Sequence, residues 1–548
     1  MLKSRDVSLC KPQYPWWLGI STVSPWKSSK ICMSLSRYNP QVDVNSRIDE
    51  LKEKTTRVLM STNSDPTTTM KLIDTIQRLG IGYVFEEEIH EILEKLTQGL
   101  LDDSLYTVAL RFRLQRHNGL HSNPEVFQKF MDANGKFKES LSEDIEGLLS
   151  LHEASHLGAN GEDILSQGNE FTTRHLKGSV SQLSPKLGTQ VLGSLELPRH
   201  LRMARLEAAR YIEEYGNADD HNPVVLELAK LDYNHVQSLL QRDLNDVTRW
   251  WKHLGLASKL SFVRDRHIEC FFWTVGVLPE PKYSSSRIVL AKTIAILLVI
   301  DDVFDTYGSY EDLVHFTKAI KRWDLNEMEQ LPKYMKLCYM ALYTITSEIC
   351  DKILTQHGFS VQPFLSKTWM DLVEAYLVEV EWVRRGTLPN LEDYIENGFT
   401  SSGTCMALVH LFFLISQGVT EENARKLLDP YPKFFSLAGT ILRLWDDLGT
   451  AKEEEKRGDA ISSIQLLMRE KNITNEEEGR KQILQLIHGL WKDLNAELVT
   501  PDALLLPMIK VALNVSRASQ VVYQHSEDSY LSSVQDYVQT LFFKPIYI

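Results

Sequence analysis

Residues 294–305 read Ile294-Ala295-Ile296-Leu297-Leu298-Val299-Ile300-Asp301-Asp302-Val303-Phe304-Asp305, an apolar helical run that ends in three aspartates. A second run, Leu437-Ala438-Gly439-Thr440-Ile441-Leu442, is followed by Asp446-Asp447-Leu448-Gly449-Thr450 and continues to Glu454. On a helix, residues four apart lie about one turn (~6 Å) from each other on one face. Asp301 and Asp305 therefore share a face, and so do Asp446, Thr450 and Glu454. Like charges at that spacing repel, so a purely structural helix gains nothing from the pattern. A hard divalent cation reverses the sign, because Mg2+ takes carboxylate and hydroxyl oxygens and shares itself with phosphate. Two such helices facing each other across an apolar interior suit a molecule with a charged head and an apolar tail.

Outward from these runs, nearly every segment from Val44 on has helical period, as in Ile89-Ile92-Leu93-Leu96 and Leu226-Leu228-Leu231-Val236-Leu239-Leu240. Breaks carry Gly, Pro or Asn, as at Asn134-Gly135, Gly216-Asn217 and Pro279-Glu280-Pro281. No alternating run bounded by turn signals argues for a sheet, so the expected class is all-α. No fixed-period repeat suggests a solenoid. A chain of 548 residues exceeds one ordinary core. The polar stretch Tyr215 to Pro223 marks a boundary, dividing 44–218 from 219–548. Eight of the eleven tryptophans lie after it, so an aromatic-walled cavity is expected in the second part. Residues 1–43 form a separate leader: within 1–38 there are eight serines and six Lys or Arg but one acid, Asp6, the composition of an organelle transit segment. The alternative is a disordered tail without an address; Trp16, Trp17 and Trp26 are unusual in a transit segment.

The net charge of −13 argues against a general nucleic-acid binder. No apolar stretch is read as long enough to span a membrane; the strongest, Ile288 to Ile300, contains Lys292 and stops at aspartates. The six cysteines show no CxxC spacing, which suits a reducing compartment without a zinc or disulfide framework.

Asp102-Asp103 and Asp219-Asp220 serve as internal controls, since neither pair has a carboxylate or hydroxyl completing one helical face. Arg264-Asp265-Arg266 reads either as a surface ion-pair set or as a clamp for diphosphate, whose geometry guanidinium groups match. Arg443, three residues before Asp446, is a second clamp candidate. Thr400-Ser401-Ser402-Gly403-Thr404 interrupts an apolar helix, either as a break whose freed carbonyls face a cation or as a simple kink.

With these residues in place, the chain from about Val44 to Ile548 resembles the plant terpene synthases that ionise their substrate with metal. The resemblance rests on the aspartate-rich cluster, the Asp446/Thr450/Glu454 triad, the run Arg264 to Trp273 and Pro281-Lys282-Tyr283-Ser284. It implies an α-helical terpenoid synthase catalytic domain joined to a catalytically silent N-terminal α-barrel. It also implies three Mg2+ ions, with Mn2+ as an alternative: Asp301 and Asp305 hold two, supported by Asp302, and Asp446, Thr450 and Glu454 hold the third. Arg264, Arg266 and Arg443 would bind the diphosphate and Trp273 would line the cavity, while Asp528 and Tyr530 match late cavity positions.

Two departures narrow the expectation. None of the four Asp-Asp pairs has aspartate two residues earlier, as the family's protonating site requires. The arginine pair followed by tryptophan, found near the mature N-terminus of many cyclic-monoterpene synthases, is missing; only Arg37 stands there, and no tryptophan occurs between Trp26 and Trp250. The chain thus resembles the branch making acyclic alcohols. The expected product is linalool from geranyl diphosphate, or nerolidol from farnesyl diphosphate, made by a monomer in the plastid, or in the cytoplasm if the leader carries no address. The competing readings are a cyclic or olefinic mono- or sesquiterpene synthase, a prenyltransferase (which normally has aspartate where Thr450 stands) and a non-catalytic helical scaffold.

Overall fold

The computed structural model describes residues 41–61, 65–96, 104–457, 461–499, 501–502, 504–524 and 530–548. The expected leader therefore lies almost wholly outside the described residues. The described chain is all-α, as expected: helices run from Gln41–Ser61 to Tyr530–Phe542, and the only pairing outside helices among these residues is an isolated bridge between Met131 and Phe137. That bridge closes the Asn134-Gly135 turn, where Gly135 takes φ +71.

The stretch Tyr215 to Pro223 separates two long elements. The Ala204–Gly216 helix ends there, and Asn222 starts the Pro223–Leu254 helix, its side chain accepting from Val224 N (3.0 Å) and Val225 N (3.3 Å). Proline follows as the first helical residue, where no backbone donor is needed. This long helix serves two cores. Val225, Leu228 and Ala229 pack with Leu51, Ile73, Ile76 and Leu110 from the N-terminal helices. Further along, Val236, Leu240, Leu244 and Val247 pack against Phe271, Phe272, Val521 and Val522. Burying a side chain of this kind is worth ~1.5–3 kcal/mol. The largest core lies beyond, under helices Ser284–Asp302, Gln362–Arg385, Thr404–Ile415 and Lys433–Arg457.

The expectation that no stretch reaches membrane-spanning length needs correction. Leu391–Ile415 is long and apolar enough by composition. However, 72% of that window is buried within the protein, and the stretch is two helices, Leu391–Ser401 and Thr404–Ile415. Its apolarity belongs to the core. The break comes at Gly403, with φ +72, where an added Cβ would lie 2.2 Å from Leu297 Cδ1 on the aspartate-bearing helix. Only glycine lets that close approach form.

Candidate active site

The two acidic runs meet across a cleft of about 560 Å³, a size typical of small-molecule sites (~300–1,000 Å³). Asp301, Asp305 and Asp446 line it, together with Arg266 and Arg443. Its walls include Phe304, Tyr376, Trp382, Tyr394 and Tyr523, so the expected aromatic cavity lies in the second part of the chain.

Ser284–Asp302 is an α-helix, but Val303–Tyr307 continues it as a π turn, with Gly308 N donating to Val303 O at 2.8 Å. In a pure α-helix four residues overshoot one full turn by about 40°. A π turn advances less per residue, so Asp305 swings back toward the Asp301 face. Spacing alone does not reveal this local widening, which recurs at functional sites.

In both acidic runs the second aspartate of the pair is tied to the scaffold. Asp302, 4% exposed, is bound by Arg264 through its Nη2 and, at 3.4 Å, its Nε. Asp447, 2% exposed, accepts from the Tyr394 hydroxyl (2.9 Å) and from Ser463 N (2.8 Å). Arg264 therefore sits behind the cleft wall, whereas Arg266 faces the cleft. Asp265 between them accepts from Trp251 Nε1 (2.9 Å) and meets His267 Nδ1 (2.8 Å), pinning the segment. Trp273 is also one layer back: its ring lies 6.0 Å from that of Tyr523, which lines the cleft. Thr450 is buried, and its hydroxyl donates to Asp446 O at 2.8 Å. The side chains of Glu454 and Tyr530, and Asp528 entirely, lie outside the described residues.

Sequence reading overlooked Glu379, on the Gln362–Arg385 helix. Its Oε1 accepts from Ser401 Oγ (2.6 Å), Asn397 Nδ2 (3.1 Å) and Arg443 Nη2 (3.2 Å) at the cleft. Arg443 also donates from Nε to the Tyr394 hydroxyl at 3.1 Å. The available signal was polar residues at positions 397 and 401 of a facing helix, one turn apart.

Carboxylates outnumber cations in the cleft: Asp301, Asp305, Glu379, Asp446 and Asp447 stand against Arg266, Arg384 and Arg443. Burial raises the Asp301 carboxyl above the ordinary range, against the pull of Arg264 and a Tyr376 hydrogen bond. Asp446 is pushed up to about 7 by burial, opposed by Arg443 and reinforced by Asp447. Desolvation and then Asp301, Glu379 and Asp302 push Asp305 well above its usual value. Asp305 itself stays open to solvent in the cleft, so repulsion among these carboxylates carries more of that rise than burial does. Excess negative charge of this kind fits a bound divalent cation. Among the described residues no three His, Cys, Asp or Glu side chains converge tightly enough to hold an ion by themselves. Mg2+ keeps waters and takes substrate phosphate oxygens as further ligands, so it does not require a complete cage of protein side chains.

Residues 252–493 match the terpene synthase family, metal binding domain, and residues 26–195 match the terpene synthase N-terminal domain. The chain is 57% identical to monoterpene synthase TPS4, chloroplastic, from Cananga odorata, over the whole of both chains. It is 55% identical to geraniol synthase, chloroplastic, from Ocimum basilicum (93% of this chain, 89% of the relative). It is 53% identical to R-linalool synthase, chloroplastic, from the same plant (98% and 95%). Among solved structures, isoprene synthase from grey poplar (Populus x canescens), in complex with three Mg2+ ions and dimethylallyl-S-thiolodiphosphate, superposes with a TM-score of 0.87 at 38% identity. That match covers 92% of this chain and 97% of the other. Opposed carboxylate helices, matches to both family domains and near full-length relatives agree: the chain belongs to the terpene synthase family, metal-dependent lyases acting on prenyl diphosphates.

Proposed function

We propose that this enzyme ionises geranyl diphosphate and hydrates the resulting cation to an acyclic tertiary alcohol, linalool, with nerolidol formed from farnesyl diphosphate. The observation carrying the ionisation step is the meeting of Asp301, Asp305 and Asp446 with Arg266 and Arg443 around one aromatic-walled cleft. The acyclic product is supported by the relatives named for geraniol and linalool, both acyclic alcohols, and by the missing arginine-pair/tryptophan element.

Asp301 and Asp305 would hold two Mg2+ ions and Asp446, Thr450 and Glu454 a third; bound there, the ions stabilise the charge developing on the leaving diphosphate. Arg266 and Arg443 bind the same anion with directed N–H groups, and Arg264 holds their wall through Asp302. As the carbon–oxygen bond breaks, the electron pair leaves with the diphosphate and positive charge spreads over the allylic carbons. Phe304, Tyr376, Trp382 and Tyr523 present π faces to that charge. Trp273 backs this wall, and Tyr530 is a further substrate-binding residue of this reading through the family resemblance. Water adds at the tertiary carbon, and its proton passes to the released diphosphate.

Residues 44–218 form the catalytically silent α-barrel domain of this reading and 219–548 the catalytic one, with 1–43 directing a monomer to the plastid. Gas chromatography of products from geranyl diphosphate with Mg2+ tests the proposal. A dominant linalool peak is expected. Geraniol, the primary alcohol of the 55% relative, would move water attack to the first carbon, and a cyclic or olefinic product would overturn the hydration reading.

A further inference from the structure

A second cavity, of about 280 Å³, lies away from the acidic cleft. It opens between the Pro66–Arg78, Leu105–His117 and Ala204–Gly216 helices on one side and the Leu506–Tyr523 helix on the other. The Pro279-Glu280 turn, leading toward the aspartate-bearing helix, closes one end. Its charge is opposite to that of the catalytic cleft: seven of its lining residues are Arg or Lys and four are Asp or Glu, in a chain of net charge −13.

Most of these charges cancel. Asp74 holds Arg113 and Arg199, both at 2.8 Å. Glu207 holds Arg78 (3.1 Å) and Arg202 (2.9 Å). Arg517 is different. It is 8% exposed, yet among the described residues no carboxylate pairs with it. Its contacts are all to neutral groups: Nε donates to His200 O (2.6 Å), Nη1 to Asn514 Oδ1 (2.7 Å), and Nη2 lies 3.3 Å from His200 Nδ1. His200 Nε2 faces Asn495 Oδ1 at 2.8 Å, so the ring carries its proton there and stays neutral. Desolvation alone draws the Arg517 guanidinium down to about 10. Three of its five N–H groups are occupied, which leaves two for a ligand. Arg205, 4% exposed, adds a second under-compensated cation: its Nε has no hydrogen-bond partner, and its nearest carboxylate, Asp232, is 3.8 Å away. On the rim, Lys510 reaches Glu86 only at 3.8 Å.

A buried cation without a counter-ion is costly, and a water-accessible cavity beside it lets an anion relieve that cost. We propose that this cavity is an anion site for a small phosphoryl group, inorganic diphosphate or orthophosphate, held by Arg517, Arg205 and Lys510. It differs from the catalytic cleft in needing no metal, because its own walls are cationic. Occupied, it would tie the N-terminal helices to the Leu506–Tyr523 helix, which also supplies Tyr523 to the catalytic cleft.

Isothermal titration of the metal-free protein in EDTA, at about 0.15 M chloride to screen surface charge, tests this. Diphosphate and orthophosphate are titrated separately. EDTA removes the metal through which the acidic cleft would hold diphosphate, so failure here leaves the proposed reaction untouched. One saturable site is expected, with Lys510→Met and Arg517→Met each weakening binding at least tenfold. Lys510 is partly exposed, so its replacement keeps the test valid even if Arg517→Met does not fold. Stronger binding of diphosphate makes the reaction's own product the occupant; stronger binding of orthophosphate assigns the site to the free phosphate ion. Absence of saturable binding, or affinity unchanged in Lys510→Met, would overturn the proposal.

Discussion

Replacing Gly308 by alanine should disable the site from outside the ligand set. Gly308 has φ −75, which any residue can adopt, so the effect is one of contact rather than backbone strain. An added Cβ would lie 2.6 Å from Leu313 Cδ2, 3.0 Å from Leu313 Cγ and 2.9 Å from Val303 O. Leu313 is 1% exposed and has little room to turn. Val303 O is the acceptor of the 2.8 Å bond that closes the π turn, so the backbone itself must give. Overpacking of this kind costs about 1–3 kcal/mol. Opening the turn lets Asp305 rotate off the Asp301 face, and a shift of ~1 Å in such a group costs on the order of 100-fold in rate. The assay is steady-state turnover of geranyl diphosphate across a Mg2+ titration, with circular dichroism as the folding control. We expect kcat to fall ~10–100-fold and the Mg2+ requirement to rise, with helicity retained. Gly178→Ala, where an added Cβ meets nothing within 4 Å, should behave as wild type. Wild-type kcat and Mg2+ dependence in Gly308→Ala would refute the claim that the π turn sets the position of Asp305.

The two kinds of aspartate should separate by readout. Asp302→Asn removes the buried carboxylate that Arg264 binds and should cost about 3–5 kcal/mol in chemical denaturation, whereas Asp305→Asn should raise the Mg2+ requirement with little loss of stability. Tyr523→Phe removes a hydrogen bond from Asp446; we expect a weaker Mg2+ response at unchanged fold, read from the same titration. Glu207 predicts acid sensitivity in the N-terminal half. Burial alone would raise its carboxyl, but Arg78, Arg202 and Arg210 hold it at about 2, below its ordinary 4.5. Its contribution, about 3 kcal/mol, is therefore complete above pH 4.5 and is lost as the pH falls toward 2. Glu207→Gln should be less stable at pH 7 and should show a shallower decline between pH 4.5 and 2.5 in denaturant titrations.

Helical class and the two acidic runs were legible because apolar periodicity and like-charge spacing are local properties. The helix break at Gly403 was legible for the same reason, although its cause, the approach of Leu297, is not local. Other features depend on what the facing helix supplies. Nothing in the Gln362–Arg385 stretch distinguishes Glu379 from a solvated acid until Asn397, Ser401 and Arg443 are placed around it. Arg264 and Arg266 look equivalent in sequence, yet one is committed to Asp302 and the other opens on the cleft. The π turn leaves the Asp301/Asp305 spacing unchanged and alters only their angle. The cationic cavity was invisible because Arg517 lies more than 300 residues after its acceptor His200.

The central claim, that opposed oxygen-bearing helix faces gather divalent ions around a diphosphate, is tested most directly by anomalous diffraction. Crystals grown with Mn2+ and a non-hydrolysable prenyl thiolodiphosphate should show metal peaks against Asp301 and Asp305 and a further one against Asp446, Thr450 and Glu454. Diphosphate oxygens should lie between them. Peaks elsewhere, or an analogue bound in the cleft with no metal at those side chains, would contradict the account.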